Sequence, residues 1–165
     1  MSTVLNFGFE PAPSSFPPPP VGQAICGSFY DTTTQTTAQD TPTPMKLNTT
    51  DPTCTVGVSI VNDGLGNPTL ITVSETGIYN LEFSAQLYRT QGGSPKTIDI
   101  WLRKNNINVP DSNTKVSVLA NSVYLLASWN WYVQLNAGQF VQIMWAVNDF
   151  HIQLQYCLLY TSPSP

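Results

Sequence analysis

The stretch GIYNLEFSAQLYR sets Tyr79, Leu81, Phe83, Ala85 and Leu87 on one side of an extended backbone. Asn80, Glu82, Ser84 and Gln86 take the other side. Side chains two apart share a face of a strand, so this period predicts a half-buried antiparallel strand. TIDIWLR repeats it with Ile98, Ile100 and Leu102 inward, followed by the turn signal Lys104, Asn105, Asn106. WYVQL places Trp131, Val133 and Leu135 inward before a turn at NAG. QFVQIMWAV adds Val141, Ile143, Trp145 and Val147, and FHIQLQY adds Phe150, Ile152, Leu154 and Tyr156. VGVSI offers Val56, Val58 and Ile60 ahead of the turn-rich NDGLGNP. No segment carries a convincing helical period. Strands at this spacing predict an all-β antiparallel chain, a two-sheet sandwich or jelly roll.

Two places depart from simple alternation. The second face of QFVQIMWAV holds Phe140, Met144 and Ala146, with only Gln142 polar. A strand apolar on both faces is either central in its sheet or covered by a partner subunit. Trp101 points away from its inward neighbours, and an outward tryptophan is either an interface anchor or an incidental surface aromatic. Trp101, Phe140 and Met144 are therefore the candidate oligomer contacts.

Outside the strands, PAPSSFPPPP (Pro11 to Pro20) reads as polyproline II, a stiff arm serving as a docking tether or a spacer. DTTTQTTAQDTPTP (Asp31 to Pro44) has no apolar period and reads as a long surface loop. The expected division is an arm over 1–21, a head over 22–156, and a distinct end over 157–165.

Charged residues make up only 10 % of the 165, and the net charge is −4. Six Lys and Arg cannot neutralise many phosphates, which argues against a nucleic-acid footprint. No apolar run is long enough to span a bilayer as a helix, and there is no polybasic patch. MSTVLNFGFE lacks the charge and apolar core of a secretory signal. Cys26, Cys54 and Cys157 show no metal spacing; buried free thiols are expected for Cys26 and Cys54, with a disulfide as the alternative.

The strands in this order resemble the globular heads of the complement component-one-q and tumour necrosis factor superfamily. The residues that carry the resemblance are Gly77, Tyr79, Leu81 and Phe83 in the strand Gly-x-Tyr-x-apolar-x-aromatic. Leu102 to Asn105 form the strand-ending turn. Leu135, Gly138 and Val141 match a later element, where Gln139 replaces the family's aspartate. GSFYD (Gly27 to Asp31) looks like the first strand of the versions carried by bacteriophages and aquatic viruses. The resemblance spans about Gln23 to Tyr156. It implies a ten-stranded jelly roll assembling as a homotrimer, with aromatic residues buried near the three-fold axis. It also implies a closing strand between the first strand and the Gly-x-Tyr strand.

FHIQLQY is followed by CLLYTSPSP, Cys157 to Pro165. These nine residues match, codon for codon, one frame of a transposase adapter used in preparing sequencing libraries. They are expected to be read-through in a metagenomic fragment, and the head is expected to lack its native last strand.

Chemistry is sparse. His151, the single histidine, sits on the polar face of FHIQLQY with no readable triad or zinc partners. Asp63 in NDGLGN suggests a hairpin turn rather than a calcium loop, whose spacing is absent. Asp111, Ser112 and Asn113 form a second oxygen-rich loop. Asp99 and Arg103 share a strand face as a loose charge pair. No catalytic, metal or cofactor residues are assigned. The expectation is a non-enzymatic virion protein: a trimeric knob on a phage tail, fibre or capsid, docked through its arm to other virion proteins. Host surface glycan or protein would be met by the loops Asp31 to Pro44, Thr90 to Lys96 and Val109 to Lys115. The alternative is a secreted ligand or glycan-binding head of cellular origin.

Overall fold

The structure, a computed structural model, describes residues 24–119 and 124–156. The arm over 1–21, Cys157 and the adapter-like end over 157–165 lie outside the described residues. Thirteen strands and no helix occur among those described. They are β1 Phe29–Tyr30, β2 Gln35–Thr36, β3 Thr43–Pro44, β4 Thr49–Thr50 and β5 Val58–Asn62. Then come β6 Pro68–Val73, β7 Gly77–Arg89, β8 Lys96–Lys104, β9 Ile107–Asn108 and β10 Thr114–Val118. The last are β11 Leu125–Leu135, β12 Phe140–Val147 and β13 Ile152–Leu154.

Two antiparallel sheets face one another as a jelly-roll sandwich. One runs β10-β8-β12-β6-β5, with β3 added to β12 and β9 to β8; the other runs β11-β7-β13-β2. A short β1-β4 pair stands beside them. The core is built from the alternation. Leu87, Ile98, Ile100, Leu102, Val133, Leu135, Val141, Ile143, Trp145 and Val147 are all buried in one cluster. Their polar alternates face outward, which fixes register: a slip of one residue would invert every face.

β12 is apolar on both faces because it is central. It pairs with β8 over Val141 to Val147 and with β6 and β3 on its other edge. The turn at Asn105 and Asn106 takes positive φ at both residues (46° and 67°), the backbone a tight β8–β9 hairpin requires.

Several expectations need correction. The segment Asp31 to Pro44 is not simply a loop, since β2 and β3 lie within it and Gln39 bridges Val147. Edge pairing uses backbone groups and needs no apolar period. There are more than ten strands because five are only two residues long. Phe150 is not inward; it sits in the turn before β13 and is 58 % exposed. Most importantly, FHIQLQY does not precede the closing strand. Ile152–Leu154 is itself the strand between β7 and β2.

Candidate functional site

β7 is paired unequally. On one side β11 accompanies it from Gly77↔Leu135 to Leu87↔Leu125. On the other, β13 reaches only Leu87 to Arg89. No described strand runs beside Gly77 to Ala85 on that side. The result is a groove of about 1000 Å³ between β7 and the β1 region. Phe29 and Tyr30 stand on one wall, and core residues Phe83, Val133, Leu135, Val141 and Ile143 form the floor. Six of the seven residues that carry the sequence signature line it: Gly77, Tyr79, Leu81, Phe83, Leu135 and Val141. Tyr79, Leu81 and Ala85 point inward yet are only half-buried, on the stretch of β7 that no described strand flanks on this side. Gly138, the seventh, has φ +79° and donates its N–H to Val73 (2.8 Å), closing the β11–β12 turn over the groove's end. Gln139 takes up this turn too: its Oε1 accepts the Asn136 N–H at 2.9 Å.

A second feature lies on the outer face of the β7–β11 pair. Ile78 is 75 % exposed, Tyr132 74 % and Leu126 68 %. At the far end Tyr88 and Tyr124 stack at 4.9 Å. Between them Asn130 Nδ2 donates to Asn80 Oδ1 at 2.8 Å. Glu82 is the one charged side chain in this stripe. Sequence reasoning missed it because Tyr124, Leu125 and Leu126 form an unbroken apolar run that hides where the period of β11 begins.

The candidate contacts Trp101, Phe140 and Met144 are placed on the outer face of the other sheet, and the structure alters their roles. Met144 is 1 % exposed within its own chain, set between Trp101 of β8 and Pro44 of β3. It has almost no surface left for a second copy. Trp101 is half-buried rather than exposed, and its Nε1 donates to Asn108 Oδ1 at 2.9 Å. Phe140 is half-buried. Beside them runs a polar chain that crosses three strands. Arg103 donates from Nε and Nη2 to Gln142 Oε1 (2.9 and 2.7 Å). Gln142 Nε2 donates to Thr69 Oγ1 (2.8 Å), which donates to Asp63 Oδ2 (3.1 Å). Arg103 thus pairs with Gln142, while Asp99 meets Lys115 (3.5 Å) and Asn113 (2.8 Å), so the expected Asp99–Arg103 pair is absent.

Asp63 is a hairpin residue. Burial raises its carboxyl pKa, but N–H donors from Asn67 and Leu65 and the Thr69 hydroxyl outweigh this and lower it. His151 is not a solvated strand residue. It lies in the β12–β13 turn, and its Nδ1 meets Asp149 Oδ1 at 2.7 Å. The same carboxylate receives Arg89 Nε (2.9 Å) and Nη2 (2.7 Å), both groups being buried. This trio ties the end of β7 to the β12–β13 turn. Cys26 and Cys54 are free and exposed, correcting the expected burial. No cluster of three or more His, Cys, Asp or Glu suited to a metal occurs among the described residues.

No protein-family model matches the chain, and no curated protein matches it. Among solved structures it is similar to Eiger TNF from S. frugiperda, at 15 % identity and a TM-score of 0.42. That match covers 86 % of this chain and 97 % of the other. The jelly-roll assignment rests on the strand order and register described above.

Proposed function

We propose that this chain is a non-enzymatic structural head that assembles as a homotrimer on a virus particle and serves in attachment to a host surface. The observation that carries the assembly is the outer face of β7 and β11, with Ile78, Leu126, Tyr88, Tyr124 and Tyr132 around a neutral amide pair. Contiguous exposed aromatic and apolar surface rimmed by polar groups is characteristic of protein contact faces. Depleted charge and enriched tyrosine are the composition of an interface centre. Contacts of roughly 1,500 Å² per pair of subunits suit a permanent assembly. Three copies is the number that the resemblance to tumour necrosis factor-like heads implies.

The low-charge, hydroxyl-rich surface suits a particle that must avoid nonspecific electrostatic adhesion. Three copies make individually weak loop contacts effective through avidity. The Pro-rich residues 1–21 are the proposed tether to other virion proteins.

Sedimentation equilibrium and antibody labelling test this together. The purified chain is expected at three times its monomer mass, and antibody against the head is expected to decorate particles. A monomer at micromolar concentration would overturn the assembly. Label on free secreted protein but not on particles would favour the secreted ligand or glycan-binding head.

A further inference from the structure

We infer that Trp101, Arg103, Asn108 and Phe140, on the outer face of the β8–β12 sheet, form a binding site for a carboxylate-bearing sugar. This site deepens the attachment reading, and rests on it, by naming what is bound and where. Of the two arginines in the chain, Arg89 is ion-paired with Asp149 at 2.7 Å. Arg103 is half-buried and has no carboxylate within ion-pair distance among the described residues. A partly buried cation without a counterion is costly unless another group compensates it. Its Nε and Nη2 both donate to a single atom, Gln142 Oε1, at 2.9 and 2.7 Å. Two of the five guanidinium N–H groups are thereby used, and no described residue accepts from the rest. Those left on Nη1 and Nη2 form the end-on fork that takes both oxygens of a carboxylate.

Strand register places the other members around that fork. Arg103 stands opposite Asn108 of β9 and opposite Gln142 of β12, and directly opposed residues share a face. Trp101 and Phe140, each two positions along its strand from that row, share the face too. Both aromatic residues are half-buried, so part of each ring is open. The indole is held in place by its Nε1, which donates to Asn108 Oδ1 at 2.9 Å. Asn108 is exposed and keeps its own amide N–H groups to offer. Trp101 and Arg103 are about 7 Å apart along the strand, within reach of one pyranose ring and its carboxylate. The C–H face of the sugar packs on aromatic carbon, its hydroxyls meet the amide, and its carboxylate meets the guanidinium.

The polar chain behind the arginine gains a purpose from this arrangement. Gln142 is 1 % exposed and donates to Thr69 Oγ1 at 2.8 Å. An apolar set of the same shape would serve stability about as well. What the polar chain adds is a guanidinium fixed in direction before a ligand arrives, which lowers the ordering cost of binding. Asp63, at the far end of the chain, is engaged with its own hairpin through the Leu65 and Asn67 N–H groups. All four site residues lie outside the loops expected to meet a host surface.

Titration of the full chain with galacturonic acid trimer, followed by nitrogen-15 NMR, tests the site. The Trp101 indole N–H and the Arg103 Nε–H signals are expected to shift saturably. Neutral galactose trimer is expected to bind roughly tenfold or more weakly, the order that charge-assisted hydrogen bonds contribute. Arg103→Lys keeps the charge but loses the fork, and is expected to weaken binding by roughly tenfold. Asn108→Ala, at an exposed position, is expected to weaken it by roughly threefold or more with an unchanged thermal melt, which separates recognition from folding. Equal binding of the two sugars would overturn the site, as would undiminished binding by both variants. Inorganic sulfate that displaces the trimer at equal concentration would reduce the site to a general anion contact and overturn it too. A monomeric chain that binds the sugar acid keeps the site and loses the assembly; a trimer whose two signals stay still loses the site and keeps the assembly.

Discussion

Asp149 does more for this fold than its exposure to sequence reasoning would suggest. Burial by itself would raise its carboxyl pKa, but the N–H and ring of His151 and the guanidinium of Arg89 outweigh burial and hold it at about 2, against an ordinary 3.8. A carboxyl with a depressed folded-state pKa contributes stability that is fully present above pH 3.8 and is lost as pH falls through about 2. The contribution is on the order of 2 kcal/mol. Asp149→Asn leaves Arg89 buried and uncompensated, and is expected to cost about 3 kcal/mol at neutral pH. Thermal melts between pH 5 and 2 check both points. The wild-type chain should lose stability across that window, and the variant should lose distinctly less. A variant as acid-sensitive as the wild type would show that Asp149 is not the group that titrates.

At the scale of single strands, β12 shows how a polar residue is kept inside an apolar element. Gln142 is 1 % exposed, and it is tolerated there because Arg103 and Thr69 satisfy both ends of its amide. Gln142→Leu keeps the volume but removes both partners, and is expected to destabilise by about 2 kcal/mol in a denaturant melt. A neutral result would mean that water replaces the glutamine at both groups. The inward faces of β7, β8 and β12 were legible in the sequence because burial on one side of a strand leaves a strict period of two. Phe150 was misread because a turn residue can continue a period without continuing the strand. β2 and β3 were missed because their pairing is made by backbone groups, which leave no side-chain pattern. The polar chain from Arg103 to Asp63 was equally invisible, since its members come from β8, β12, β6 and a hairpin loop and meet only in the folded sheet.

For the whole molecule, the two sheets differ in what they leave uncovered. The β8–β12 outer face closes on itself, with Met144 buried and Trp101 bonded to Asn108. The β7–β11 face presents Ile78, Leu126 and Tyr132 to its surroundings. An assembly held by the second face has a particular response to salt and to charge. Screening shortens the reach of charges to about 3 Å at 1 M salt, yet a contact built from tyrosines, isoleucine, leucine and paired amides has little Coulomb energy to lose. Sedimentation in dilute and in roughly 1 M salt should therefore give the same mass for the native chain. Placing a carboxylate in the stripe is different, because three symmetry-related copies would desolvate it without a partner. Tyr132→Asp combined with Ile78→Asp is expected to weaken association by at least 100-fold, the order of several kcal/mol that unpaired buried charge costs, while circular dichroism and the melt of the separated subunit remain those of a folded sandwich. Trp101→Ala, on the opposite sheet, should leave the mass unchanged. If the Trp101 variant dissociates and the Tyr132 and Ile78 variant does not, the contact lies on the β8–β12 face after all.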